Sequence, residues 1–373
     1  MCVVISLSWD FRSGTPYLFG QGSFRKLGEH LPEGDCLLVC GRSSARKLGL
    51  VDHVKEAIKG ELHTFEEVEP NPLDTTVDMG AELLEEVSAD YILAVGGGSV
   101  IDAAKVIDVV ATGGELSRFY MNGSREVPGM SYPLIAVPTT PGTSSEITPF
   151  AVLTVPSMKN KVGLRNPYLY PDFALIDPEL TKTLPKNQTV ATGLDILSHA
   201  FESYWAKKAN PVTRKYSLDS VKLVRKHLEG AIRNGNDSDH RSGISLSSVY
   251  AGLSFSNTGT TICHAISYPI TMDTGLPHGL ACAMSLPETF DILVEKKAHG
   301  MEDLAEAFGS EIRSLSSDLR QFLISLDSPT NVKEGKLHVS KERILDTDLD
   351  VLKKNLCIEI TDSDVSRIID SIE

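Results

Sequence analysis

The chain has 373 residues, of which 41% are apolar and 23% charged, and it carries a formal net charge of −14. That length accommodates two domains of ordinary size, and the negative charge argues against a nucleic-acid or anionic-membrane surface. Six cysteines with no C-x2-C pair exclude a zinc ribbon or a disulfide framework and fit a reducing cytoplasm, no run reaches the roughly 20 apolar residues of a membrane span, and MCVVISLSWDF lacks the basic leader and cleavage site of a signal peptide.

In chain order, DCLLVCG (35–41) reads as a buried strand ending in glycine. AELLEEVSA (81–89) reads as a helix, YILAVGGG (91–98) as a second glycine-ended strand, and SVIDAAKVIDVVAT (99–112) as the helix after it. PLIAVPTT (133–140) and FALIDPE (173–179) are further strands. This alternation predicts βαβ units and a parallel sheet, with ligands at the carboxyl ends of the strands. Beyond TKTLPKNQ (181–188) helical patterns take over, at 190–207, 211–234, 243–259, 279–296 and 301–326. Residues 328–350 are polar and irregular, and a last helix is expected at 362–372. The expected architecture is an α/β dinucleotide-binding domain over 1–180 and an all-α domain over 181–373, with a cleft between them for a cofactor and a small substrate.

YILAVGGGSVIDAAK (91–105) is a strand, a glycine-rich turn and a helix start. Gly96, Gly97 and Gly98 let backbone approach an anion, Ser99 donates a hydroxyl, and a helix N-terminus favours a phosphate. It is not G-x-G-x-x-G, and a tight strand-to-helix corner is the alternative, but with the strand before it the turn is expected to bind a phosphate. VPTTPGTSSE (137–146) is a second hydroxyl-rich turn, with Thr139, Thr140, Thr143 and Ser145 as candidate ribose or nicotinamide contacts.

TGLDILSHAFESY (192–204) places Asp195 and His199 four apart. On a helix these side chains lie one above the other, about 5–6 Å apart at Cβ, and converge on one point. A carboxylate near a helix start beside an ordinary histidine explains the pair equally well. His264 and His278, in GTTICHAISYPITMDTGLPHGLACAMSLP (259–287), add two imidazoles. Three histidines and a carboxylate suit a divalent first-row metal.

GGGSVIDAAK, PTTPGTSSE, PDFALIDPEL, TGLDILSHAFESY and HAISYPI-x6-PHGLACAMSLP together resemble the iron-containing alcohol dehydrogenases, a family similar in fold to glycerol dehydrogenase and dehydroquinate synthase. The resemblance implies a Rossmann-like domain followed by a helical metal-binding domain. It also implies that Asp195, His199, His264 and His278 hold Fe(II), with Zn(II) compatible with the same donors. Gly97, Gly98, Ser99, Asp102, Thr139, Thr140, Thr143 and Lys161 are then expected at the cofactor, and Phe150, Phe255 and Arg165 around the substrate. The implied reaction is hydride transfer between a nicotinamide and a small aldehyde/alcohol pair. TPYLFGQGSF (15–24) is similar to the family's N-terminal hairpin, which implies a homodimer.

Two positions depart from the pattern. Gly41 stands where NAD-using members tend to carry Asp, and GRSSARK (41–47) supplies Arg42, Ser43, Ser44 and Arg46, which favours NADP(H) over NAD(H). Tyr268 replaces a histidine that many members carry near the nicotinamide. Arg165 stands at a position small or apolar in many relatives, and its guanidinium fits a carboxylate, phosphonate or sulfonate; a salt bridge is the plainer alternative. The anionic reading makes phosphonoacetaldehyde, sulfoacetaldehyde or succinic semialdehyde the expected substrate class. The rival functions are a polyol or glycerol-phosphate dehydrogenase of the same superfamily and a non-catalytic nucleotide- or metal-binding module.

Overall fold

The computed structural model describes residues 8–373 apart from 43, 159, 334, 336–338, 346 and 348. Its contacts divide the chain into two compact units, one of residues 14–192 with 227–248, the other of 193–226 and 249–373 with the segment before residue 14.

The first unit is built on eight strands: β1 Tyr17–Phe19, β2 Cys36–Gly41, β3 Leu62–Val68, β4 Tyr91–Gly96, β5 Leu134–Pro138, β6 Phe150–Val155, β7 Asn160–Arg165 and β8 Phe173–Ile176. Six form a parallel sheet in the order β1-β8-β5-β4-β2-β3. β2 and β4 are apolar throughout because both faces of the sheet are covered. Alternate residues Leu37, Val39, Ile92 and Ala94 pack among residues of the helices Asp74–Val87 and Gly98–Gly113. Leu38, Cys40, Leu93 and Val95 pack with Phe24, Leu27 and Val54 on the opposite face. Each fully buried aliphatic side chain contributes about 1.5–3 kcal/mol of transfer free energy. The chain turns outward from β2 to β3 and then returns to place β4 on the other side of β2. This reversal of strand order is the topological switch point, where an open parallel sheet leaves a crevice for a ligand.

Two segments of this unit differ from expectation. TPYLFGQGSF does not form a hairpin among the described residues; β1 instead lies parallel to β8, with Tyr17 opposite Ala174. Gly20 N donates to Ile176 O at 3.1 Å, and the amides of Gly22 and Phe24 donate to the Asp177 carboxylate at 3.0 and 2.9 Å. Those bonds tie the segment to the end of β8, and Gly22, at φ 73°, starts a 3-10 turn rather than a returning strand. β6 and β7, in contrast, form an antiparallel hairpin that the polar sequence of 159–165 concealed.

In the second unit, Phe201, Trp205, Phe308 and Phe322 pack edge to face, with ring planes 85–87° apart. The expected helix 279–296 is two, His278–Met284 and Leu286–Glu295, because Pro287 opens a new helix. The expected 301–326 is likewise two, Met301–Phe308 and Leu315–Ser325, separated after Gly309 at φ 86°. An unexpected helix, Ile262–Thr274, runs through Pro269.

Candidate active site

Asp195 and His199 lie inside the helix Lys186–Tyr204. A carboxylate positioned for the helix dipole belongs in the first turn, and Asp195 stands well beyond it, so the helix-start explanation fails. Both side chains are buried, as is His264 on the helix Ile262–Thr274. His278 opens the helix His278–Met284 and is half-buried. His199 Nδ1 lies 3.9 Å from Asp195 Oδ2, and His278 Nε2 lies 4.0 Å from Asp195 Oδ1. The rings of His199 and His264 are 4.6 Å apart between centroids, and those of His264 and His278 5.2 Å. All four residues singled out in the sequence therefore meet in one place.

The donor chemistry fits a cation. Asp195 Oδ1 and His264 Nε2 are buried and lack a hydrogen-bond partner among the described residues. Leaving such groups unmade costs about 1–3 kcal/mol each, and more for a charged one. A divalent metal held by these side chains would satisfy both. His264 Nδ1 bonds to Glu202 Oε2, so a carboxylate acceptor fixes the proton on Nδ1 and leaves the Nε2 lone pair for a metal. Glu202 is itself fully buried; its Oε1 accepts from Thr261 N at 3.0 Å, Thr261 Oγ1 at 2.6 Å and Cys263 N at 2.9 Å. Burial works against its charge, but His264 and the donors around it hold its pKa below the usual carboxylate range.

Phe255 stacks on His199, centroids 4.1 Å apart and planes 8° apart, so it fixes an imidazole whatever else it touches. Tyr268 stacks on His278 with centroids 5.8 Å apart. Burial raises the pKa of its phenol, which keeps the hydroxyl protonated at neutral pH.

The glycine turn closes at the end of β4, where the helix Gly98–Gly113 begins and presents its positive dipole end. A Cβ on Gly98 would stand 2.3 Å from Thr143 Oγ1, and one on Gly97 3.0 Å from Thr140 Oγ1. Close approach of the two turns therefore favours glycine at 98, and at 97 a side chain fits only if Thr140 gives way slightly. Thr139 and Thr140 are half-buried in the adjoining turn, where Thr139 N donates to Gly96 O at 2.8 Å. Lys161 Nζ donates to Asn71 Oδ1 at 2.7 Å, and Asn71 N donates to Ser99 Oγ at 3.2 Å. Asn71, in the left-handed region at φ 58°, thus joins two expected cofactor residues and was not anticipated.

Asp102 has other work: its carboxylate accepts from Ser145 Oγ at 2.5 Å and Val152 N at 3.0 Å. Beside it the buried Lys105 donates to Ser145 Oγ, Thr148 O and Phe150 O at 2.9, 2.9 and 2.7 Å. Burial brings its pKa down to about 8 and pushes that of the neighbouring Glu146 up to about 7. Gly41 ends β2, and the exposed Arg42 lies 3.3 Å from Glu67 Oε2. Arg46 gives both Nε and Nη2 to Glu66, at 2.6 and 2.5 Å, which commits it to an ion pair. Ser43 and the side chain of Ser44 fall outside the described residues. The Arg165 guanidinium lies 5.3 Å from the centroid of the Phe150 ring, its partner across the β6–β7 hairpin.

Two further residues of this cluster are not singled out by the sequence, Glu202 and Cys282. Each stands at helical spacing from a candidate ligand: Glu202 follows His199 by three positions, and Cys282 follows His278 by four. Cys282 Sγ lies 3.5 Å from His278 Nε2.

The sequence profile of the iron-containing alcohol dehydrogenases matches residues 14–178, and that of the family's C-terminal region matches 189–371. The chain belongs to the iron-containing alcohol dehydrogenase family. It is 31% identical over 306 residues to the NAD-dependent methanol dehydrogenase of Bacillus methanolicus, covering 80% of each chain. To the NADPH-dependent butanol dehydrogenase of Clostridium saccharobutylicum it is 31% identical over 332 residues, covering 86% of this chain and 85% of the other. Its fold is similar to that of sulfoacetaldehyde reductase from Bifidobacterium kashiwanohense in complex with NAD+, with a TM-score of 0.90, 27% identity and coverage of 98% and 99%. As a family member the chain is an NAD(P)-dependent oxidoreductase acting on CH–OH groups, and the family's cofactors are NAD(P)H and iron. No described helix is long and apolar enough to cross a membrane.

Proposed function

We propose that this alcohol dehydrogenase reduces short aldehydes bearing an anionic tail, with NADPH preferred over NADH. Residues 1–180 bind the nucleotide and 181–373 hold the metal. When bound, the metal supplies Lewis acidity to the aldehyde oxygen, and the nicotinamide supplies the hydride. Asp195, His199, His264 and His278 are the ligands. Glu202 sets the His264 tautomer, Phe255 holds the plane of His199, and Tyr268 keeps a protonated hydroxyl over His278 from which the nascent alkoxide can take its proton. Gly97, Gly98 and Ser99 receive the pyrophosphate at a helix N-terminus, and Thr139, Thr140, Thr143 and Lys161 line the remainder of the cofactor.

The observation that carries the anionic reading is Arg165. Its guanidinium lies over the Phe150 ring, 5.3 Å from the centroid, a cation–π contact that helps place a group suited to bidentate recognition of a carboxylate, phosphonate or sulfonate. Likeness to a sulfoacetaldehyde reductase supports the same class. Likeness to methanol and butanol dehydrogenases favours the second reading, a reductase of neutral aldehydes. NADPH oxidation by Fe(II)-loaded protein, measured with neutral and anionic aldehydes of matched length, separates the two. The expected result is activity concentrated on the anionic aldehydes and a rise in KM of about tenfold or more for them in Arg165→Ala, the loss of one charge-assisted contact of roughly 1.5–3 kcal/mol. Equal activity on both sets, unmoved by Arg165→Ala, makes Arg165 structural and the enzyme a general aldehyde reductase.

NADPH preference rests on Gly41, which places no carboxylate against a 2′-phosphate, and on Arg42, exposed at the switch-point end of β2. Arg42→Ala is expected to raise KM for NADPH about tenfold while leaving KM for NADH in place. Equal effects on both cofactors, or a wild-type preference for NADH, would overturn this assignment. We also propose a cytoplasmic homodimer. Support comes from β1 at the end of the strand order and from the free cysteines 36, 40, 263, 282 and 357.

A further inference from the structure

We propose that Cys282 is a ligand of the metal, supplying a thiolate beside the carboxylate and imidazoles that the family resemblance implies. The proposal rests on the metal-site reading above. The side chains whose donor atoms all lie within 4.8 Å of one another are Asp195, His264, His278 and Cys282. His199 stands beside this set, against Asp195. Cys282 follows His278 by one helical turn on His278–Met284, the same spacing that pairs Asp195 with His199. Its side chain is fully buried, with Sγ 3.5 Å from His278 Nε2. Asp195 Oδ1 and His264 Nε2 are buried without a hydrogen-bond partner among the described residues. A cation that satisfies those two atoms stands within reach of the sulfur.

Sulfur, imidazole nitrogen and carboxylate oxygen are all donors that zinc accepts, so Cys282 would join Asp195, His199, His264 and His278 rather than replace one of them. As the metal–sulfur bond forms, the thiol releases its proton to solvent and no redox partner is needed. A soft thiolate donor shifts the preference of the site from Fe(II) toward Zn(II).

X-ray absorption at the zinc edge of the Zn(II)-loaded full-length protein tests the assignment directly. The wild type is expected to show one sulfur scatterer at about 2.3 Å, alongside nitrogen and oxygen at about 2.0–2.1 Å. Cys282→Ala is expected to lose that scatterer and at least about tenfold in zinc affinity, measured against a chromophoric chelator. Cys263→Ala, which removes the neighbouring buried thiol, is expected to keep it. A wild-type spectrum of nitrogen and oxygen alone, or a sulfur shell that persists in Cys282→Ala, overturns the proposal and leaves the metal site standing. Failure of the wild type to retain zinc or iron overturns the metal site as well.

Discussion

Asp195→Ala is expected to empty the protein of metal and to lower kcat/KM by about a thousandfold or more. The magnitude follows from the several kcal/mol that a Lewis-acidic metal contributes to the transition state, each 1.36 kcal/mol being tenfold in rate. The substitution removes the one carboxylate of the set and leaves the imidazoles in place. It is not expected to unfold the protein. Asp195 is buried, and without metal its Oδ1 has no donor among the described residues, so alanine removes a group that destabilises the apoprotein. Two measurements check this together: metal content by mass spectrometry and denaturant midpoints of the metal-free proteins. The expected pattern is metal lost, activity lost, and an apoprotein midpoint equal to or above that of wild-type apoprotein. A variant that keeps its metal and most of its activity would remove Asp195 from the ligand set.

Lys105→Met is expected to act on stability. The Lys105 ammonium is buried and spends all three donors on Ser145 Oγ, Thr148 O and Phe150 O, beside the carboxylates of Asp102 and Glu146. Methionine fills much the same volume but leaves two carbonyls without that donor and two carboxylates without a cation. Removing one partner of a buried charge cluster costs roughly 3–5 kcal/mol. These bonds join the helix Gly98–Gly113 to the 145–150 segment, so the loss falls on the phosphate turn as well. Lower cofactor affinity should therefore accompany the lower unfolding midpoint. The cost also depends on pH. Burial raises the pKa of Glu146 to about 7, above its unfolded value, so this carboxyl favours the folded state below its unfolded pKa and that contribution is lost as pH rises through about 7. Without Lys105 the ionised form loses its nearby cation, so the midpoint of Lys105→Met should fall more steeply between pH 6 and 8 than that of wild type. Parallel pH profiles for the two proteins would show that Lys105 carries no such charge coupling.

The parallel sheet was legible because β2 and β4 are continuous apolar runs ending in glycine, which only a sheet covered on both faces favours. The cluster of candidate ligands was legible because Asp195 and His199 share a helix face and because His264 and His278 sit in apolar surroundings. Cys282 and Glu202 carry the same kind of spacing. A lone buried cysteine, however, ordinarily packs as a small apolar side chain, and a glutamate near the end of a helix ordinarily faces solvent. The helix Ile262–Thr274 was hidden by Pro269, whose missing N–H ordinarily ends a helix. The hairpin that bears Lys161 and Arg165 was hidden by its polar outer face; its buried face, Ala151, Leu153 and Val155, packs into the sheet core. Arg46 looked available for a phosphate because its partner Glu66 lies on β3, a pairing that spacing along the chain does not reveal.

We propose that one metal, held by Asp195, His199, His264 and His278, supports NAD(P)H-dependent aldehyde reduction by this alcohol dehydrogenase. The most direct test is aldehyde-dependent NADPH oxidation by chelator-stripped protein, before and after anaerobic reloading with one equivalent of Fe(II). No turnover is expected before reloading and full recovery after it, with recovery absent in His264→Ala. Full turnover by metal-free protein, or none after stoichiometric reloading with neutral or anionic aldehydes, would contradict it.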